Sequence, residues 1–334
     1  MPQNRPRAFI SGALPGRALA GGSVLDPLRE VADCHVWEGQ GSPGEGALRE
    51  ALHESEGLLC LLTDRVDRAL IEACPRLRVI SSCSVGVDHI DLGAASERGI
   101  VVGNTPGVLT DATADLAFGL LLAAARRLVE GDRFVREGHW RAERRWYPSM
   151  FLGADLSGKT LGVLGLGPIG RAVARRAAGF GMRVVGWTRS MREVEGVETL
   201  ALPEVLAQSD FVSVHVALAE ETRGLIGEKA IAAMKPTAIL INTARGGIVD
   251  EAALAEALAS GALFAAALDV FADEPLAPES PLRDLPNVVL APHMGSATHR
   301  TREAMARMAV ENLRAGLLGE PLAACVNPEV IQRS

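Results

Sequence analysis

Four side chains suited to chemistry stand where apolar runs of the chain end. Arg245 follows "AILINTA" and is itself followed by Gly246 and Gly247, Asp269 and Glu274 lie in "LDVFADEP", and His293 closes "NVVLAPH". A guanidinium binds an anion through paired hydrogen bonds, and an imidazole moves protons near neutral pH. Singly, each has an ordinary reading: a surface arginine, two capping acids, a satisfied histidine. As a set spaced over strand ends they are more specific, because ligands of open α/β sheets sit outside the carboxyl ends of the strands.

A second pattern lies upstream. Gly165, Gly167 and Gly170 in "LGVLGLGPIGRAVARRAAGFG" satisfy GxGxxG, after an apolar strand and at the opening of a helix. In that context the first glycine makes a tight turn and the second lets the backbone approach a pyrophosphate. The third lets helix and strand pack closely, with the helix N-terminus facing the negative charge. The next strand, "RVVGWTRSM" (183–191), ends in Thr188, Arg189 and Ser190, where NAD sites usually place an acid on the ribose hydroxyls.

These residues need a sheet to hold them. Short apolar runs at 7–12, 34–39, 57–63, 77–86 and 99–104 read as strands, with helical spacing at 46–54 and 65–74. A long helix is expected from about Thr110 to Glu130, with Thr110 or Asp111 as N-cap. From Thr160 a second series gives six strands, "TLGVLGLG", "RVVGWT", "DFVSVHV", "AILINTA", "AAALDVF" and "NVVLAP". Residues 297–319 read as one amphipathic helix, whose apolar face is expected to pack on the first domain. Strands alternating with helices predict parallel sheets covered on both faces.

The 334 residues suffice for one large or two medium domains. A net charge of −7 excludes a global bias toward nucleic acid or anionic membrane. The segment 133–149 is rich in arginine and aromatics, and is read as an exposed subunit-contact arm. Five cysteines without a CxxC read as reduced, core-filling thiols. The opening stretch, interrupted by Pro15 and Arg17, is not read as a signal peptide, so the cytoplasm is the expected compartment. The run 116–125 is too short for a membrane span. The seven histidines fit no zinc signature, and no metal is expected.

Over nearly its whole length the chain resembles the D-isomer-specific 2-hydroxyacid dehydrogenase family. The stretches that carry the likeness are "SVGVDHIDL", "VVGNTPGVLTDATADLA", "GKTLGVLGLGPIG", "INTARGGIVDEAALAEAL", "AALDVFADEPL" and "PHMGSATHRTREAMA". Within the family, "GSATHRTR" and "ENLRAGLLGEPL" look most like the glyoxylate/hydroxypyruvate reductases. The resemblance implies a Rossmann cofactor domain inserted into a flavodoxin-like substrate domain, both α/β with doubly wound parallel sheets. The expected boundaries are 1–103 and 294–334 for the substrate domain and 104–293 for the cofactor domain.

The resemblance also implies roles. Arg245 matches the substrate-binding arginine, His293 the acid/base histidine and Glu274 its carboxylate partner. Val85 and Gly86 match the loop whose amides hold the substrate carboxylate, with Ser296 a further substrate contact. Gly165, Gly167, Pro168, Ile169 and Gly170 would hold the dinucleotide. Thr188, Arg189 and Ser190 would lie at the ribose and Asp269 near the nicotinamide, with Thr243, His293 and Gly295 as further cofactor contacts. The implied reaction is reduction of small 2-oxo acids: glyoxylate to glycolate, hydroxypyruvate to D-glycerate. Without the ribose-binding acid, NADPH is expected over NADH. Another 2-oxo acid reductase of the family and a nucleotide-sensing corepressor are the alternatives. A homodimer is expected, with Trp140 or Trp146 near the partner's pocket. The family's usual Pro and Thr are replaced by Ala217 and Ala219, which loosens inference about that loop but removes no catalytic group.

Overall fold

The computed structural model describes residues 5–17 and 21–333. The opening stretch read above for targeting therefore falls partly outside the described residues. The chain divides into two compact units, Met1–Leu109 with Ser296–Ser334, and Thr110–Gly295.

The first unit is a parallel sheet of β1 (Arg7–Ile10), β2 (Asp33–Val36), β3 (Gly57–Cys60), β4 (Val79–Ser82) and β5 (Val101–Gly103). Its order, β2-β1-β3-β4-β5, is the flavodoxin-like arrangement. Strands β3 and β4 are buried throughout, which is why "GLLC" and "VISS" carry no alternation. The helix His299–Leu318 packs on β3, β4 and β5, so the expected amphipathic helix does return to the first unit. The Thr298 side chain caps it by accepting from the Thr301 amide, and Gly319 ends it in the left-handed region at φ 74°. Gly316 lets it approach closely: a Cβ there would lie 2.4 Å from the Val79 side chain.

The chain then runs along the edge of β5. Val326 donates to the Val102 carbonyl at 2.7 Å. Buried Asn327 accepts from the Val102 amide at 2.8 Å and donates to Ile100 O at 2.9 Å and Ser96 Oγ at 3.0 Å. Of the cysteines, Cys60, Cys74 and Cys83 are buried as expected. Cys34 and Cys325 are half-buried and only partly fill the core, a correction to the sequence reading.

The second unit holds β6 (Thr160–Leu164), β7 (Arg183–Trp187), β8 (Glu198–Thr199), β9 (Phe211–Val214), β10 (Ile239–Asn242), β11 (Ala265–Leu268) and β12 (Val288–Leu290). All pair in parallel, in the order β12-β11-β10-β9-β6-β7-β8. This is the doubly wound Rossmann order with a further strand, and its reversal point lies between β6 and β9. The two-residue β8 has no apolar run of its own and was not expected.

The helix expected to run to Glu130 stops at Ala125. There the Ala125 carbonyl accepts from the Ala154 amide at 2.8 Å, and Arg127 turns left-handed at φ 52°. A second helix, Leu128–Arg136, follows and buries none of its side chains. Part of the supposed arm is thus helical. Its Phe134 ring packs edge-on against Phe151, with centroids 5.2 Å apart. Among the described residues no helix is long and apolar enough to cross a membrane.

Asn327 joins three elements of the first unit in one buried side chain. Asn327→Ala should lower the stability of that unit by about 2–4 kcal/mol, because a buried amide and a buried carbonyl lose their partners. Chemical denaturation followed through the first unfolding transition measures it.

Candidate active site

Because β10, β11 and β12 are adjacent and parallel, their carboxyl ends lie along one edge of the sheet. Arg245 leaves β10 on a turn held by buried Asn242, whose Nδ2 donates to Arg245 O at 2.9 Å and whose Oδ1 accepts from Ala244 N at 3.0 Å. The turn lies so near the exit of β11 that a Cβ at Gly246 would come within 1.8 Å of the Phe271 carbonyl carbon. Only glycine fits there.

At the exit of β11 stands Asp269, 1% exposed. Its carboxylate oxygens accept from the amides of Met294 at 2.7 Å and Gly295 at 2.8 Å, and its carbonyl accepts from the His293 amide at 2.8 Å. Burial pushes this carboxyl above the usual range, against the pull of both amides and of His293. His293 is thereby held at φ 51°, a left-handed conformation uncommon for residues other than glycine.

His293 Nδ1 lies 2.7 Å from Glu274 Oε2, while Glu274 Oε1 accepts from the Phe271 amide at 3.1 Å. Burial alone would raise the Glu274 carboxyl. The His293 hydrogen bond and charge, the Phe271 amide and the Arg245 charge outweigh it and hold the group below the usual carboxylate range. With Nδ1 turned to Glu274, Nε2 is the ring nitrogen left for proton transfer. The structure thus brings Arg245, Asp269, Glu274, His293 and Gly295 onto one edge.

The glycine pattern shows three distinct geometries. Gly165, at φ 97°, lies where a Cβ would meet the His215 carbonyl carbon at 2.6 Å, and a Cβ at Gly170 would meet Gly165 O at 1.9 Å. A Cβ at Gly167 would meet nothing within 4 Å. So the first and third glycines serve close packing, and the second leaves open space. The helix Pro168–Gly179 begins beside it without a side-chain cap, with first-turn amides available to an anion. Thr243 adds a buried hydroxyl without a hydrogen-bond partner among the described residues. These features fit a dinucleotide.

At the end of β7, Thr188 is buried and its hydroxyl oxygen accepts from the Arg192 amide at 3.3 Å, while Arg189 and Ser190 are exposed. Arg192 donates to Leu166 O in the glycine loop at 2.8 Å, joining the two loops. Sequence reasoning missed this clamp, and it did not single out Asn242 although that residue lies within "INTARGG".

Val85, Gly86 and Ser296 belong to the other unit and are half-buried there. Ser84 Oγ donates to Gly86 O at 2.6 Å and Asn104 Nδ2 to Val85 O at 2.8 Å.

Comparison with known proteins agrees with this geometry. Residues 118–295 match the profile of the D-isomer specific 2-hydroxyacid dehydrogenase, NAD binding domain. A glyoxylate reductase of Korarchaeum cryptofilum is 48% identical over 332 residues, 98% of each chain. The crystal structure of the TT0316 protein from Thermus thermophilus is 48% identical with a TM-score of 0.88, covering 96% of this chain and 99% of that one. An NADPH-dependent glyoxylate/hydroxypyruvate reductase from Sinorhizobium meliloti, solved with NADP and malonate, is 34% identical with a TM-score of 0.86, covering 97% of both chains.

Glu274→Gln removes the anion 2.7 Å from the imidazole. kcat/KM for reduction should then fall, because the imidazole loses the partner that fixes its ring. The carboxyl is depressed in the folded state, so its stabilising contribution is present above its ordinary pKa and lost as pH falls through the depressed value. The variant should therefore lose less stability than the unmodified protein on acidification.

Proposed function

The chain belongs to the D-isomer-specific 2-hydroxyacid dehydrogenase family, whose members are oxidoreductases with a nicotinamide coenzyme, and on that premise we propose that it reduces glyoxylate to glycolate and hydroxypyruvate to D-glycerate, preferring NADPH. The observation that carries the reading is the His293–Glu274 pair at 2.7 Å, on the same sheet edge as the Arg245 turn. The full-length likeness to glyoxylate reductases supports the choice of substrate.

The bound coenzyme supplies the hydride. Arg245 grips the substrate carboxylate with paired donors and draws electrons from the reacting carbonyl. His293 holds a proton at Nε2 and gives it to the carbonyl oxygen, while Glu274 fixes the ring from the Nδ1 side. Val85 and Gly86 supply amides to the carboxylate, and Ser296 a further contact. Gly165, Gly167, Pro168, Ile169 and Gly170 hold the pyrophosphate, and Thr243, Asp269 and Gly295 line the nicotinamide side. His293→Ala should lower kcat for glyoxylate by roughly 10²–10⁴ with coenzyme binding nearly unchanged. Near-normal turnover would remove the histidine from the mechanism.

The coenzyme preference follows from charge. An acid at position 188 would repel a 2′-phosphate, and two unit charges about 4 Å apart cost roughly 4 kcal/mol at an effective dielectric near 20. Thr188 lacks that repulsion, and its hydroxyl and that of Ser190 can donate to the phosphate. Exposed Arg189 can pair with it, a charge-assisted bond contributing roughly 1.5–3 kcal/mol before screening. kcat/KM should be higher with NADPH than with NADH, and Thr188→Asp should reverse the order. A native preference for NADH, or a ratio unmoved by the substitution, would contradict this.

The surface around residues 128–152 supports a homodimer. Trp140, Trp146 and Tyr147 are 59%, 75% and 53% exposed, beside exposed Leu128, Val135 and Leu152. A second copy covering them removes a large apolar area from water, and either tryptophan can then reach the partner's substrate. Light scattering at micromolar concentration should return the dimer mass; a monomer refutes it.

A further inference from the structure

We propose that Asn104, anchored by Asn312, is a positioning residue that aims the Gly86 amide at the substrate carboxylate. This rests on the reading that the Val85–Gly86 loop binds that carboxylate.

The loop's carbonyls are all engaged by donors of its own unit. Ser84 O accepts from the Thr105 amide at 2.9 Å, Val85 O from Asn104 Nδ2 at 2.8 Å, and Gly86 O from Ser84 Oγ at 2.6 Å. The amides of Val85 and Gly86 donate to no protein acceptor among the described residues. A peptide unit is planar, and its C=O and N–H point in opposite directions. Holding Ser84 O therefore orients the Val85 N–H, and holding Val85 O orients the Gly86 N–H. Asn104 grips the loop from behind and presents a donor in front.

Asn104 is in turn fixed at its backbone. Its amide donates to Ala324 O at 3.2 Å, and its carbonyl accepts from Asn312 Nδ2 at 2.9 Å. Asn312 lies fully buried within the helix His299–Leu318, a costly place for an amide unless its polar atoms are paired. Both polar atoms of the amide are engaged, because Oδ1 accepts from the Ala324 amide at 3.2 Å. Gly103 admits it: a Cβ there would lie 2.9 Å from Asn312 Cβ. The C-terminal helix thus reaches the loop through two amides in series.

The test is steady-state kinetics on Asn104→Ala and Asn312→Leu, with NADPH saturating and glyoxylate varied. Each should raise the KM for glyoxylate by about five- to tenfold, the loss of one oriented hydrogen bond, with the KM for NADPH unchanged. The double variant should be no worse than the poorer single one, since both act on one relay. A merely structural role would lower the melting temperature and the active fraction without moving the KM for glyoxylate. Asn104 is half-buried, so Asn104→Ala carries the test even if Asn312→Leu does not fold. Gly86→Pro deletes the presented N–H itself. A raised KM in Gly86→Pro with a normal KM in Asn104→Ala overturns the relay alone. A normal KM in Gly86→Pro overturns the loop's role, and the relay with it.

Discussion

One buried carboxylate organises the sheet edge on which Arg245, Glu274 and His293 stand. Asp269 leaves β11 with its two carboxylate oxygens accepting from the amides of Met294 and Gly295, and its carbonyl accepting from the His293 amide. A carboxylate has two acceptor oxygens, and here each one serves a different backbone amide. These bonds bind the exit of β12 to the exit of β11 and hold His293 in its left-handed backbone. From that position the imidazole meets Glu274. Glu274 is set by the Phe271 amide, and Gly246 brings the Arg245 turn against Phe271. Arg245, Glu274 and His293 are thus each set by backbone contacts at the exits of β10 and β11.

The same economy runs through the cofactor loops. Close packing claims Gly165 and Gly170, while Gly167 leaves open space. Arg192 then binds the loop after β7 to the glycine loop through Leu166 O, so the two loops are set together. In the first unit, buried asparagines serve where backbone pairing runs out, Asn327 along the edge of β5 and Asn312 behind Asn104. A side-chain amide carries both a donor and an acceptor, so it can join two chain segments that cannot form a ladder.

What the sequence made legible follows from this physics. Parallel strands buried on both faces leave unbroken apolar runs, so "TLGVL" and "AILIN" announce β6 and β10 directly. The run 77–86 predicted a strand more than twice as long as β4, because the loop after Ser82 is itself half-buried or buried and reads like a strand. The helix stop at Ala125 was hidden, since it is set by Ala154, far along the chain. The same applies to the relay: Asn312 and Asn104 are 208 residues apart, and nothing local in either neighbourhood marks the bond between them. Arg245, Glu274 and His293 stand out because strand ends concentrate chemistry. Their supports, Asn242 and the Asp269 amide bonds, look in sequence like ordinary turn residues.

The dependence on Asp269 can be measured directly. Asp269→Asn replaces one acceptor oxygen by an NH₂ group that faces a backbone N–H, while changing the volume of the site hardly at all. With glyoxylate and NADPH saturating and the melting temperature recorded as a check on folding, kcat should fall by about 10- to 100-fold, the loss of one charge-assisted bond and the displacement of the loop that carries His293. A folded Asp269→Asn enzyme with an unchanged kcat would contradict the account.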